Sequence, residues 1–378
     1  MKKIIFLFIL LCMPLSVFAK DLIPNAKSGI LIEANSGKII YEKNIDERLS
    51  VASMTKMVAQ IIILEEIEKG KIKWDDVVTI SKNASDMGGS QIYLENGEKM
   101  SVEDLMKGIS VASGNDATVA MAEYISGTEE KFVERMNKKV KELGLKNTHF
   151  KNSTGLDEKD HYSSAYDMAM IAKELVNNHK EILKYSSIYE DYLRKDTDNS
   201  FWLVNTNKLI SQYDGTDGLK TGHTDDAGYC LAATVKRNDL RLIGIVLGEN
   251  DSKVRNSETI ELLDYGFNSV KTKVLKKKKA LIEKVHLDKA NSKYLNAVLK
   301  DNLVVVEDIG KSSKYDYNVK LDDIKLPIKK NSKVGVIEVL SNNKIITKND
   351  LITDKDIDKL NVIDLYKKNV LNLIYGNI

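Results

Sequence analysis

Apolar and polar positions divide the chain into a helical middle flanked by strand-like stretches. The most apolar run opens at Ala52. Met57, Val58 and Ala59 are followed there by Ile61, Ile62, Ile63 and Leu64. It reads as a helix buried on most of its faces and stopping near Gly70. Ahead of it, Gly29 to Ala34 and Lys38 to Glu42 are β-prone runs joined through Asn35-Ser36-Gly37, so a hairpin is expected. From Gly70 to about residue 200 the pattern is mainly helical. Ser101 with Asp104 resembles a capping box opening a helix through Leu105, Met106 and Ile109. Another helix starts just past Asn115, with Ala117, Val119, Ala120 and Ala122. Ser113-Gly114-Asn115 therefore falls in a tight link between helices, where side chains can be presented to a cleft.

Strand signals return at Leu219. The runs Leu219 to His223, Tyr229 to Val235 and Arg241 to Leu247 are separated by polar turns and read as an antiparallel meander. With the N-terminal hairpin they give an antiparallel five-stranded sheet carrying a helical insertion, an α/β fold of α+β type. Lys220 then lies on a strand facing the helices, in a cleft suited to a ligand. A helix from Ser257 to about Phe267, its end marked by Gly266, closes this unit. The basic run Lys271, Lys273 and Lys276 to Lys279 reads as a solvated linker face. Beyond it, Lys284 to Leu340 holds short alternating segments and reads as a small β domain. At the end, Val362, Ile363, Tyr366, Val370, Leu373 and Ile374 share one helical face, opposite Asn361, Asp364, Lys367, Lys368, Asn369 and Asn372. The expected organisation is 1–19 as a leader, 25–270 as the main domain, 280–350 as a small β-rich domain and 355–378 as an amphipathic helix.

Composition narrows the compartment and the partners. Lys2 and Lys3, the apolar run Ile4 to Leu11 and then Val17-Phe18-Ala19 read as a secretory signal cleaved after Ala19. Its removal takes the formal charge from +2 to zero, a poor balance for nucleic-acid binding. Cys230 would then be the one remaining cysteine, so no internal disulfide can form despite export. The five histidines, at 149, 161, 179, 223 and 286, show no metal-peptidase spacing, so no metal or cofactor is expected.

Candidate chemistry begins at Ser53 and Lys56, three apart and on one helical face. A serine hydroxyl needs a base to take its proton, and a desolvated lysine beside a second cation can be neutral enough to serve. A position in the first helical turn would add the positive helix end, favouring a developing oxyanion. Alone, the pair reads more readily as a cap and a surface lysine. Ser113-Gly114-Asn115 and Lys220-Thr221-Gly222 follow in order, each in fitting local structure, and together they read as an active site.

With these motifs the chain resembles the low-molecular-mass penicillin-binding proteins, serine-type D-alanyl-D-alanine carboxypeptidases that trim peptidoglycan stem peptides. The likeness runs from about Ser28 to Phe267. It includes Gly89-Ser90-Gln91, Ala165-Tyr166-Asp167-Met168-Ala169 and Lys220-Thr221-Gly222-His223-Thr224. Val51 departs from the proline that relatives often carry. The resemblance implies that Ser53 attacks the penultimate D-alanine carbonyl and Lys56 accepts its proton. The backbone N–H groups of Ser53 and His223 would form the oxyanion hole, Ser113 would relay a proton, and Asn115 would hold a substrate amide. Lys220, with Thr221 and Gly222, would hold the terminal carboxylate. It further implies a peptidoglycan pentapeptide substrate, β-lactam antibiotics as covalent inhibitors, no cofactor, and peripheral attachment to the outer face of the cytoplasmic membrane. Arg255 either helps the carboxylate or pairs with a surface acid, and stays outside this set. The rival readings are a β-lactamase-like hydrolase and a catalytically silent cell-wall scaffold protein.

Overall fold

The structure is a computed structural model describing residues 21–375; the leader expected at 1–19 lies outside the described residues. Its centre is an antiparallel five-stranded sheet. The strand order is Ile39–Lys43, Ser28–Glu33, Leu240–Glu249, Gly228–Arg237 and Thr216–Thr224. Alternate residues of each central strand feed two separate cores, because side chains alternate across a pleat. Ile30, Ile32, Ile243 and Ile245 pack with the helix Lys56–Glu68 and the helical insertion. Leu31, Leu231, Leu242 and Val246 pack with Leu262 and Leu263 of the helix Ser252–Ser269. Cover on both faces is why these strands read as near-continuous apolar runs.

The Lys56–Glu68 helix buries Met57 through Leu64, Gln60 included. Each such aliphatic side chain contributes ~1.5–3 kcal/mol through removal from water, which makes this helix the pin through the molecule. Half of the expected capping box forms: Ser101 Oγ accepts from Asp104 N at 3.0 Å and starts the helix Val102–Lys107, while Asp104 Oδ2 accepts from the Ser101 hydroxyl and not from its backbone N–H. That helix widens into a π turn at Gly108–Ala112 before the Ser113 link. Two small hairpins, Val77–Thr79 with Lys99–Ser101 and Glu190–Leu193 with Phe201–Val204, interrupt the helical middle.

Two expectations need correction. Gly266 does not end its helix, which runs from Ser252 to Ser269. A side chain at 266 would place a Cβ 2.5 Å from Leu31 Cδ2 and 2.7 Å from Leu242 Cδ1, so this glycine lets helix and sheet approach. The basic run is not a linker throughout. Val270–Lys276 is a strand paired antiparallel with Leu303–Asp308, its lysines on the wet face and Lys273 3.1 Å from Glu307. Five further strands form a second sheet around Leu295, Ala297, Val339 and Leu351. Its last strand continues to Thr353, and Ile357 and Lys359 bridge back to Ile328 and Ala290. Those bridges hold the chain extended, so the terminal helix begins only at Val362, where Asn361 Oδ1 accepts from Asp364 N. Among the described residues no helix is long and apolar enough to cross a membrane.

Candidate active site

Ser53 sits in a 3-10 turn, Ala52–Thr55, immediately before the buried helix rather than inside its first turn. Ala52 has φ +46°, a left-handed conformation that disfavours alanine by roughly 1–2 kcal/mol. Two glycines from distant segments clamp this turn. A Cβ on Gly155 (φ +88°) would overlap the Ala52 carbonyl, and one on Gly222 would lie 2.7 Å from Val51 O and 3.3 Å from Ser53 N. Gly222 thus lets the Lys220 strand come against the Ser53 amide. That strand is the edge of the sheet, so one row of its backbone groups is unpaired within the sheet.

Lys56 is fully buried, and its Nζ has three partners: Ser53 Oγ at 2.8 Å, Asn115 Oδ1 at 2.7 Å and the Thr154 carbonyl at 2.7 Å. Two of these only accept. A neutral amine has two hydrogens for them and a lone pair left for the Ser53 hydroxyl. Burial, with the charge of Lys220 second, holds Lys56 well below the ordinary lysine range, while Asp116 opposes the shift. The three partners accommodate a neutral amine, and the electrostatics favour it as a base.

Lys220, also buried, donates to Ser113 Oγ at 2.8 Å and to the Thr221 carbonyl at 2.9 Å. Burial and then Arg255 bring it down to about 7. Ser113 reaches this lysine because it stands at φ +65° at the end of the π turn, where the chain reverses. Asn115 is fixed at both ends of its amide, Oδ1 on Lys56 and Nδ2 on Gly88 O at 2.7 Å, leaving one N–H hydrogen uncommitted. Asp116 accepts from Ile92 N and Leu94 N and so ties the 88–94 loop to the same helix start. Thr221 donates to Thr206 Oγ1 at 2.8 Å. The His223 ring lies outward, exposed and stacked on Tyr229 with centroids 4.0 Å apart.

The structure therefore brings Ser53, Lys56, Ser113, Asn115, Lys220 and Gly222 together, with Thr221 and His223 flanking Gly222 on the same strand. It adds participants the motifs do not name. Thr154 contributes a carbonyl, which carries no residue-type signal, and Thr206 is a lone polar residue in a loop. Asp157 links Ser50 at 3.1 Å to Thr224 at 2.6 Å, across the mouth. Behind the nucleophile turn, His161 Nδ1 accepts from Lys151 N, which leaves its proton on Nε2, 2.8 Å from Thr55 Oγ1. Burial pushes this imidazole down to about 4, so it is neutral. The surface-pair reading of Arg255 fails: the side chain is buried, donates to the Cys230 carbonyl at 3.4 Å, and acts on Lys220. Among the described residues no group of three or more His, Cys, Asp or Glu side chains is placed to hold a metal ion.

The chain is similar to known proteins. The D-alanyl-D-alanine carboxypeptidase family of peptidases matches residues 18–251, and the family of penicillin-binding protein 5 C-terminal domains matches residues 270–359. The D-alanyl-D-alanine carboxypeptidase DacF of Bacillus subtilis is 45% identical over 93% of this chain and 93% of its own length. DacA of Escherichia coli is 36% identical over 91% of this chain and 87% of its own. Among solved structures, penicillin binding protein 5 of Haemophilus influenzae is 32% identical with a TM-score of 0.69, covering 91% of this chain and 100% of that one. The ampicillin-bound penicillin-binding protein of Listeria monocytogenes is 30% identical with a TM-score of 0.58, covering 64% of this chain and 97% of that one.

Proposed function

The chain belongs to the serine-type D-alanyl-D-alanine carboxypeptidase family, and from that premise we propose how its own residues divide the work. It is a hydrolase that acts on peptidoglycan stem peptides and binds β-lactams. Ser53 Oγ attacks the carbonyl carbon of the penultimate D-alanine while its proton passes to Lys56 Nζ. The observation that carries this assignment is the three-partner geometry of that amine. Negative charge developing on the carbonyl oxygen meets the N–H groups of Ser53 and His223, where one lost donor costs roughly 3 kcal/mol. The substrate backbone lies along the free edge of the Lys220 strand. Lys220 and Thr221 take the terminal carboxylate, with Gly222 leaving room and Arg255 reinforcing the positive field from behind. As the C–N bond breaks, the Ser113 hydroxyl gives its proton to the departing amine and is resupplied from the lysines. Asn115 holds Lys56 in place and offers its remaining N–H to a substrate amide. Water then cleaves the Ser53 ester, so two easier steps replace one hard one.

The β-lactamase reading is disfavoured by the Lys151–Ser164 loop. It presents the Thr154 carbonyl to Lys56, while Asp157, Glu158 and Asp160 are exposed and Asp157 is engaged with Ser50 and Thr224. A long-lived β-lactam ester follows. A labelled penicillin should mark Ser53 alone and Ser53→Ala should not label; a labelled variant would refute the nucleophile.

For location, the reading is export followed by peripheral attachment through the terminal helix. Val362, Ile363 and Tyr366 are 83%, 67% and 71% exposed, so this apolar edge is not spent on the β domain. Lying in the outer face of the membrane would bury it.

A further inference from the structure

A cleft of about 960 Å³ separates the main domain from the C-terminal β domain, and none of the residues assigned to catalysis lines it. One wall holds Lys180, just past the helix Ala165–Asn178, and Lys236, near the end of the strand Gly228–Arg237. The other holds Lys278 and Lys300 on turns of the β domain and Lys348 on its strand Lys344–Thr353. Lys236 lies four residues along its strand from Ala232, the partner of Lys220, which is ~13 Å at 3.3 Å per residue. The cleft is a separate place.

Its charge is lopsided. Six cationic side chains line it, including Arg241, against three carboxylates, Asp239, Asp301 and Asp350. Arg241 is neutralised by Asp217 at 2.7 Å and Lys348 by Glu338 at 2.9 Å, both from outside the lining. Lys278 and Lys300 hold their acids loosely, at 3.5 Å from Asp301 and 3.7 Å from Asp350. Lys180 and Lys236 are exposed and have no ion-pair partner among the described residues. Positive charge therefore stands on both walls, free or weakly committed, where a shared anion would lower the repulsion between them. Between the cations are the amides of Asn35, Asn178 and Asn302. An amide both donates and accepts, as hydroxyl groups require. Apolar lining is slight, so a hydrophobic helix or an acyl chain finds little to bury here.

We propose that this interdomain cleft is a second binding site, for a hydroxyl-rich polymer carrying anionic groups at intervals. Carboxylate-bearing glycan strands and poly(polyol phosphate) chains share that chemistry. Bound there, the polymer would span both domains and hold the enzyme near its substrate while the stem peptide entering the Ser53 site is exchanged. The site does not depend on the catalytic reading.

The test uses the intact protein with Ser53 acylated by a β-lactam, which closes the active site to stem peptides. Soluble uncross-linked glycan strands, poly(glycerol phosphate) and neutral dextran are titrated by fluorescence anisotropy. At least one anionic polymer should bind, weakening as salt rises, and dextran should not; which one binds separates the two sources. Lys180→Glu with Lys236→Glu should weaken binding at least tenfold while turnover of a short D-Ala-D-Ala peptide stays unchanged. Lys278→Glu with Lys300→Glu, on the opposite wall, should do the same and guards against misfolding of the first pair. Binding of neither anionic polymer, equal binding of dextran, or wild-type affinity in a folded variant overturns the site. Failure of the wild-type protein to acylate would instead bring down the catalytic assignment.

Discussion

Replacing Gly155 by alanine tests the clamp on the nucleophile turn. Two separate penalties can be worked out. Alanine at φ +88° is disfavoured by roughly 1–2 kcal/mol. The added Cβ would also overlap the Ala52 carbonyl, and ordinary contact is restored only by moving loop or turn by more than ~1 Å; overpacking of this kind costs roughly 1–3 kcal/mol. Together these give ~2–5 kcal/mol, at ~2–4 °C in Tm per kcal/mol. The kinetic effect should exceed the thermal one, because the displaced atoms adjoin Ser53 N. A shift of 1 Å at a reacting group can lower the rate ~100-fold. The control is Gly144→Ala. Gly144 has φ +72° but nothing within 4 Å of a built Cβ, so it carries the conformational penalty alone. Stopped-flow acylation by a fluorescent penicillin, with thermal unfolding alongside, separates the two. Gly155→Ala should acylate ~100-fold more slowly, and Gly144→Ala at the wild-type rate with a Tm lower by only a few degrees. Wild-type acylation by folded Gly155→Ala would refute the claim that this glycine sets the nucleophile.

Three other outcomes are expected. Lys220→Gln should lower kcat/KM for a D-Ala-D-Ala peptide at least ~100-fold with little change in Tm; because Lys220 titrates near 7 in the free enzyme, wild-type kcat/KM should decline above that pH and Lys220→Arg should move the decline upward, an unshifted limb counting against the carboxylate role. Glu249 is fully buried beside Glu258, and burial with that neighbour raises it to about 8. A carboxyl raised on folding loses stability as pH climbs from its unfolded value near 4.5 through 8, so Glu249→Gln should gain Tm over the wild type between pH 5 and pH 9, by ~3 °C or more; a constant gap refutes the raised carboxyl. Ending the chain after Leu360 should abolish co-sedimentation with liposomes and leave short-peptide turnover intact, whereas equal partitioning of both forms would remove the anchor.

Sequence patterning reached far where residue type carries the physics. Ser53, Lys56, Ser113 and Lys220 were legible because only those side chains can supply a nucleophile, a base and charge at those spacings, and the sheet because its strands alternate between two cores. What escaped depends on tertiary position. Thr154 acts through its carbonyl, which any residue possesses. Gly266 looks like a helix stop until Leu31 and Leu242 are seen against it. The lysine-rich Val270–Lys276 segment hides a strand because only Val270 of its seven residues is fully buried. Arg255 stayed open between two readings because nothing in its neighbours shows that its helix presses it onto the Cys230 carbonyl.

That last contact gives the molecule a reporter of its own. Cys230 is 0% exposed on the strand Gly228–Arg237 of the catalytic sheet, and burial raises its thiol to about 11. A protonated, enclosed thiol is inert to alkylating reagents at neutral pH. Without residues 1–19 it is the one sulfhydryl in the chain. Its modification can proceed only through opening of the sheet that carries Lys220 on the adjacent strand, so the labelling rate reads the opening equilibrium of the active-site scaffold rather than of the whole protein. Acylation at Ser53, by adding contacts to that scaffold, becomes measurable as a slowing of chemistry at an atom no ligand touches.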